Sequence, residues 1–184
     1  PLLNSDKSGI IDPTRDWVIT GRERHVAAAR EGNLPYPMRS IHTFDFVYIR
    51  NFEPDRWPMG SPGEVTSNST PERNELENNT AIAFSDMDAS PTKAWLIQHR
   101  LDPKWRWYYE IAFGKRPAEE LYDVRTDPYM LSNLARKVNY AAVKRKLSDR
   151  LLQELTRARD PRVVENPPRF ERLPYTNGKT QWNK

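Results

Sequence analysis

Four ionisable side chains stand in a row directly after Gly21: Arg22, Glu23, Arg24 and His25. Such a run must face solvent or line a polar cavity, because unpaired charges are costly in an apolar core. Arginine supplies charge-assisted hydrogen bonds to an anion, and histidine adds directional ones. Two uses stay open for the run: contact with an anionic ligand, or a salt-bridge cluster between packed domains. The other histidines, His42 and His99, are scattered along the chain and do not suggest a metal cluster; they are expected to be ordinary hairpin and helix-surface residues. The absence of cysteine rules out disulfides, thiolate metal sites and a cysteine nucleophile in this chain. It also contains no HExxH, P-loop or GxGxxG motif.

Composition sets the frame in which these residues must be held. A chain of 184 residues is long enough for one core with a long irregular insertion. Sixteen prolines against seven glycines, 29% charged residues and a mean hydropathy of −0.87 describe a polar, loop-rich protein. Six Trp, eight Tyr and six Phe argue against disorder. No apolar stretch approaches the ~20 residues of a membrane span. The stretch Pro1-Leu2-Leu3-Asn4 has no basic region followed by an apolar run, and the chain starts without Met, so a mature product or a piece of a longer protein is expected. Net charge is +4, but residues 136–162 carry nine Lys/Arg against three Asp/Glu. A solvated helix face is the expected use of that basic run, and a polyanion site is the alternative.

The elements that must position these groups are legible in part. Residues 1–16 read as a leading linker, and Trp17-Val18-Ile19-Thr20 as a short β-prone run. Alternation over Met38–Thr43, then Phe46-Val47-Tyr48-Ile49-Arg50-Asn51, predicts an antiparallel hairpin. Residues 52–92 hold five prolines and few aliphatics, which predicts a long surface loop. Ala94, Trp95, Ile97 and Leu101 have helical spacing, with Thr92 as a candidate N-cap; for Lys104–Phe113, helix and strand both stay open. Glu120–Val124 reads as a strand and Thr126-Asp127-Pro128 as a turn, with Tyr122 and Asp123 in packing and turn-stabilising roles. Tyr140, Val143, Leu147, Leu151 and Leu155 form the apolar stripe of a helix that Asn139 could cap and Asp160-Pro161 ends. Residues 17–162 are expected to form one domain, and 163–184 a polar tail.

Several stretches, in order, resemble the C-terminal region of type I, formylglycine-dependent sulfatases of the alkaline-phosphatase superfamily, most of all the heparan N-sulfatase (sulfamidase) branch. They are Gly21-Arg22-Glu23-Arg24-His25, Tyr36-Pro37-Met38-Arg39-Ser40-Ile41, Tyr48-Ile49-Arg50-Asn51-Phe52 with Pro54-Asp55-Arg56-Trp57-Pro58, and Ser90-Pro91-Thr92-Lys93-Ala94. Phe113–Asp123, Asp127-Pro128, Asn133-Leu134-Ala135 and Asp160-Pro161-Arg162 complete the set. The resemblance implies an α+β fold: an antiparallel sheet of about four strands with a C-terminal amphipathic helix packed on it, plus the long irregular loop. It also implies that an N-terminal catalytic domain supplies the formylglycine and a calcium ion, with no cofactor and no catalytic residue in this chain. A divalent ion and cationic residues would there neutralise the sulfo group as the S–O or S–N bond breaks.

The resemblance further implies that Arg24 and His25, with Glu23 and Arg22 behind them, border a pocket for a sulfated carbohydrate. Arg39 is expected to reach from its strand to a carboxylate. The implied location is exported, whether periplasmic, extracellular or lysosomal; nucleic acid and membrane are not expected partners. Ser69-Thr70-Pro71-Glu72-Arg73 fits the loose Ser/Cys-x-Pro-x-Arg pattern of formylglycine sites, but it lies in a polar stretch where no helix or glycine is expected to follow, and is read as a chance match. Asn68-Ser69-Thr70 and Asn78-Asn79-Thr80 fit the glycosylation triplet. The competing function is a non-catalytic polyanion-binding or interaction module.

Overall fold

In the computed structural model the described residues are 4–26 and 28–172. The fold is α+β. Strands β1 (Trp17–Arg22), β2 (Met38–Thr43), β3 (Phe46–Asn51) and β4 (Glu119–Asp123) form one antiparallel sheet in the order β1-β2-β3-β4. Three short helices, α1 (Arg73–Asn78), α2 (Pro91–Gln98) and α3 (Arg106–Phe113), lie between β3 and β4. The long helix α4 (Ala141–Arg157) and the single turn α5 (Pro161–Val164) follow. Among the described residues no helix is long and apolar enough to cross a membrane.

Register explains why α4 packs where it does. Ile19 pairs with Ile41, Ile41 with Tyr48, and Tyr48 with Leu121, so one row of large side chains crosses all four strands on the same face. Leu147, Leu151 and Leu155, each one helical turn apart, cover that row and are buried with it. Tyr48 is fully buried yet keeps its hydroxyl satisfied, donating to Glu119 Oε1 at 2.8 Å and pairing with Ser148 Oγ of α4 at 3.2 Å. Lys144 closes the same corner on Glu119 Oε2 at 2.8 Å.

Two caps differ from the sequence reading, for local reasons. Asn139 does not cap α4: it lies inside a 3₁₀ turn, Val138–Tyr140, whose own i→i+3 bond leads straight into the helix. At α2 the cap is Ser90, whose Oγ accepts from Lys93 N at 3.2 Å, because Pro91 takes the first helical position. The C-terminus of α4 is a Schellman turn: Arg159 N donates to Thr156 O, Asp160 N to Leu155 O, and Arg159 sits at φ 54°.

Residues 52–92 are irregular over most of their length, but they do not lie on the surface throughout. Val65, Leu76, Ala83 and Phe84 form a second apolar cluster with Ala94 and Ile97 of α2 and Phe113 of α3. Phe84 stacks on Phe113 with ring centroids 4.5 Å apart. Lys93 is fully buried beneath this segment, donating to Met87 O at 2.8 Å and Thr80 O at 3.2 Å. The backbone passes so closely here that a Cβ on Gly63, at φ 59°, would lie 2.3 Å from Ile82 O. The start of the expected tail is likewise engaged: Val163 packs on the sheet core and Glu171 is ion-paired, while residues 173–184 lie outside the described set.

Two substitutions test this packing. Leu151→Ala, which empties the centre of the α4–sheet contact, is expected to cost about 2–5 kcal/mol in urea unfolding; a loss under about 1 kcal/mol would contradict the assigned core. Arg159→Gly relieves a left-handed residue and is expected to raise stability by about 0.5–1 kcal/mol, and a lower unfolding midpoint would show that the arginine side chain matters there.

Candidate functional site

The run that leaves β1 is divided by the fold among three surroundings. Glu23 points into an ion network. Its Oε1 accepts from Arg39 Nη2 at 2.7 Å and from Arg162 Nε at 3.3 Å, and its Oε2 accepts from Arg162 Nη2. Arg39 continues to Asp160, with Nε–Oδ2 at 2.7 Å and Nη2–Oδ1 at 3.1 Å. Arg162 continues to Glu171 at 2.5 Å, and Glu171 to Arg56 at 3.0 Å. The expected partner of Arg39 is therefore found, and there are two of them. Asp160 serves twice, since its Oδ1 also accepts from Arg162 N at the start of α5.

Two local features make the network possible. The Schellman turn that ends α4 delivers Asp160 to the edge of the sheet. Gly21 leaves room for the arginine: a Cβ there would lie 2.6 Å from Arg39 Cδ, against a side chain already held at both ends. Burial alone would raise the carboxyl pKa values of Asp160 and Glu171. Hydrogen bonds and charge from Arg39 and Arg162, and from Arg56 and Arg162 respectively, more than reverse this and hold both below the ordinary range.

Arg22 turns the other way. Its Nη2 donates to Pro58 O at 3.0 Å and its guanidinium faces the Tyr36 ring at 5.9 Å. The same carbonyl accepts from the buried Arg30 at 2.7 Å, and Arg30 also donates to Trp57 O at 2.6 Å and Asp86 Oδ2 at 2.8 Å. Burial lowers the pKa of Arg30, with Asp86 opposing the shift. Tyr36 lies beside both guanidinium groups, its hydroxyl pushed up to about 12 chiefly by burial and then by the charge of Glu120.

Arg24 is half-buried, and His25 is the outward residue of the run. The His25 side chain is 64% exposed, with Nδ1 3.4 Å from Asp86 Oδ1. Asp86 is fully buried and also accepts from Val26 N at 3.1 Å, so it anchors the loop as well as the ring. An open cleft of about 310 Å³ adjoins the run, bordered by Ile19, Gly21, Arg22, Glu23, Arg39 and Asp160. Arg24 and His25 are not among the residues that line this cleft, so the site is a cluster of paired carboxylates and guanidinium groups with an exposed imidazole two residues further along the chain. It does not fit calcium, which takes six to eight oxygen ligands, because the carboxylates of Glu23, Asp86, Asp160 and Glu171 are each committed to guanidinium groups.

The remaining singled-out residues have structural settings. His42 Nε2 lies 2.9 Å from Ser40 Oγ and 3.2 Å from Thr20 Oγ1 on the sheet. His99 follows the last turn of α2 and stacks on Trp95 at 4.3 Å. Tyr122 is buried, donating to Glu120 Oε2 at 2.5 Å, and Asp123 holds Arg125. Ser69 is exposed, and contrary to the sequence reading a helix, α1, does follow it; Leu76 supplies the reason, by anchoring that turn in the second core. The backbone carbonyl of Ser69 accepts from Arg100 at 2.7 Å. Four cations of the basic run, Lys144, Arg150, Arg157 and Arg162, are ion-paired. Sequence reasoning did not pair Arg30 with Asp86, Arg162 with Glu23 or Glu171 with Arg56, since these partners lie 56, 139 and 115 residues apart along the chain.

The network makes stability depend on pH with a definite sign. Asp160 and Glu171 have folded pKa values below their unfolded ones, so the unfolded state binds more protons as acid is added. Their contribution is present above the unfolded value, about pH 4, and is lost as pH falls through the folded values. Thermal melts are expected to show the midpoint dropping below about pH 4, with a shallower drop in Arg39→Met, which removes a partner of Asp160. Equal acid sensitivity in the two proteins would mean that the network does not contribute in this way. Searched against protein-family models and against curated proteins, the chain matches none.

Proposed function

We propose that this chain is the C-terminal domain of a formylglycine-dependent sulfatase, hydrolysing sulfate esters or N-sulfate groups of sulfated sugars. In this reading the catalytic domain supplies the nucleophile and calcium. This chain supplies one wall of the substrate pocket. His25 and Arg24 contact the sulfated carbohydrate, Arg22 secures the loop, and Glu23 fixes the strand exit from which they project.

One observation carries the reading. The ion network draws Glu23, Arg39, Arg56, and Asp160 with Arg162 from four separate stretches of the resemblance. Stretches scattered over about 140 residues thus meet in one cluster, as parts of a shared scaffold should. His25 follows Glu23 by two residues in the chain, with its side chain turned to solvent and its Nδ1 beside Asp86. Its use for a sulfated ligand follows from chemistry: a sulfated sugar combines an anion for arginine with hydroxyls for imidazole.

Two measurements test the proposal. In the complete protein, Arg24→Ala and His25→Ala are each expected to lower kcat/KM on a sulfated glucosamine by about tenfold, the scale of one charge-assisted hydrogen bond, with little change in thermal midpoint. Unchanged kinetics in both would remove the pocket assignment. The purified 184-residue chain alone is expected to leave 4-nitrocatechol sulfate intact with or without calcium; calcium-dependent turnover by it would overturn the division of labour.

A further inference from the structure

Helix α3 and the turn before it carry an aromatic surface that the proposed pocket does not use. Trp107 and Tyr108 are 50% and 48% exposed. Their rings meet at 82° with centroids 4.9 Å apart, forming an open corner with two flat walls. The corner is braced from behind. Tyr108 leans on Trp105 at 6.0 Å, Trp105 meets Trp95 edge-on at 5.0 Å, and Trp95 carries His99. Bracing of this kind holds two large apolar rings ready in water, and a ligand need not pay to order them.

Cations flank the rings. The run Lys104-Trp105-Arg106-Trp107 alternates basic and aromatic residues. Lys104 Nζ lies 4.4 Å from the Trp105 centroid, and no carboxylate pairs with it among the described residues. Arg106 is 69% exposed, and its contact with Glu110 is 3.5 Å long and solvated, a pairing easily exchanged.

A pyranose ring has an apolar C–H face that stacks on an aromatic plane and a rim of hydroxyls. An acidic sugar adds a sulfate or carboxylate for a neighbouring cation. Single-stranded nucleic acid would require a continuous positive groove beside its stacking platform, whereas residues 101–116 carry four basic and two acidic side chains. We propose that Trp107 and Tyr108, with Lys104 and Arg106, form a binding surface for an anionic polysaccharide. This surface is separate from the His25 rim and shares with the proposed function only the class of ligand; its test reads retention and not turnover, so either can fail alone.

The test is affinity electrophoresis of the 184-residue chain in native gels containing dextran sulfate, polygalacturonate or neutral dextran. Retardation is expected with at least one of the two anionic polymers, and which one it is separates sulfate from carboxylate recognition. It should be about fivefold weaker in Trp107→Ala/Tyr108→Ala, whose net charge is unchanged, and both weaker at low salt and less salt-sensitive in Lys104→Ala/Arg106→Ala. The exposed positions allow these variants to fold, which circular dichroism checks. Should a variant unfold, quenching of tryptophan fluorescence in the unsubstituted chain by the same polymers replaces it, and no quenching counts against the surface. Retention unaffected by the ring substitutions, no retention on either anionic polymer, or tighter binding of a single-stranded oligonucleotide would each overturn the proposal.

Discussion

The carboxylate of Glu23, gripped by Arg39 and Arg162, is the contact on which the rest of the fold depends. Arg39 belongs to β2, Arg162 to α5, and Glu23 to the exit of β1. The pair therefore ties the first sheet edge to the end of the chain's long helix. Through Glu171 and Arg56 the same charges reach the start of the segment between β3 and β4. The side chains of Arg162 and Arg39 are only 2% and 8% exposed. A pair of this kind adds little net stability over an apolar substitute. Its removal from one side is another matter, since it strands a buried guanidinium. The network thus specifies one arrangement of elements whose general attraction comes from the apolar row under α4.

The two apolar clusters divide the remaining work. The sheet and α4 bury a regular, registered row, and its regularity is what makes that half stiff enough to aim a loop. The second cluster is assembled from sparse apolar residues around Phe84 and Phe113. Asp86, whose carboxylate secures Val26, Arg30 and His25, lies two residues from Phe84. The second cluster therefore holds the base of the histidine rim, although it takes no part in the sheet. Under the proposed function this explains why a pocket wall needs the segment between β3 and β4 at all: it fixes the outward residues that the sheet releases at Arg22.

The sequence was most readable where order is local and periodic. The hairpin of β2 and β3, the β4 strand and the stripe of α4 follow from alternation or helical spacing, and Arg39 could be assigned a carboxylate because an arginine on a buried strand requires one. Legibility failed where partners are remote. Arg39 meets Asp160 121 residues away, and Glu23 meets Arg162 139 residues away, with no pattern to announce either. The run Arg22–His25 looks uniform as text, yet Glu23, Arg22 and His25 have three different surroundings. Residues 52–92 read as surface because their few apolar side chains have no period, and Val65, Leu76 and Phe84 become a core only once α2 and α3 are beside them.

The placement of three helices between β3 and β4 also governs how the chain can assemble. Pairing Arg50 with Glu119 closes a loop of roughly 70 residues, an entropic cost that falls before the pairing can reward it. The contacts of α1 with α2, and of Phe84 with Phe113, are closer in sequence. Compaction of the segment around Phe84 shortens the span that the pairing of β3 with β4 must close, so the second cluster and the last strand pairing support each other.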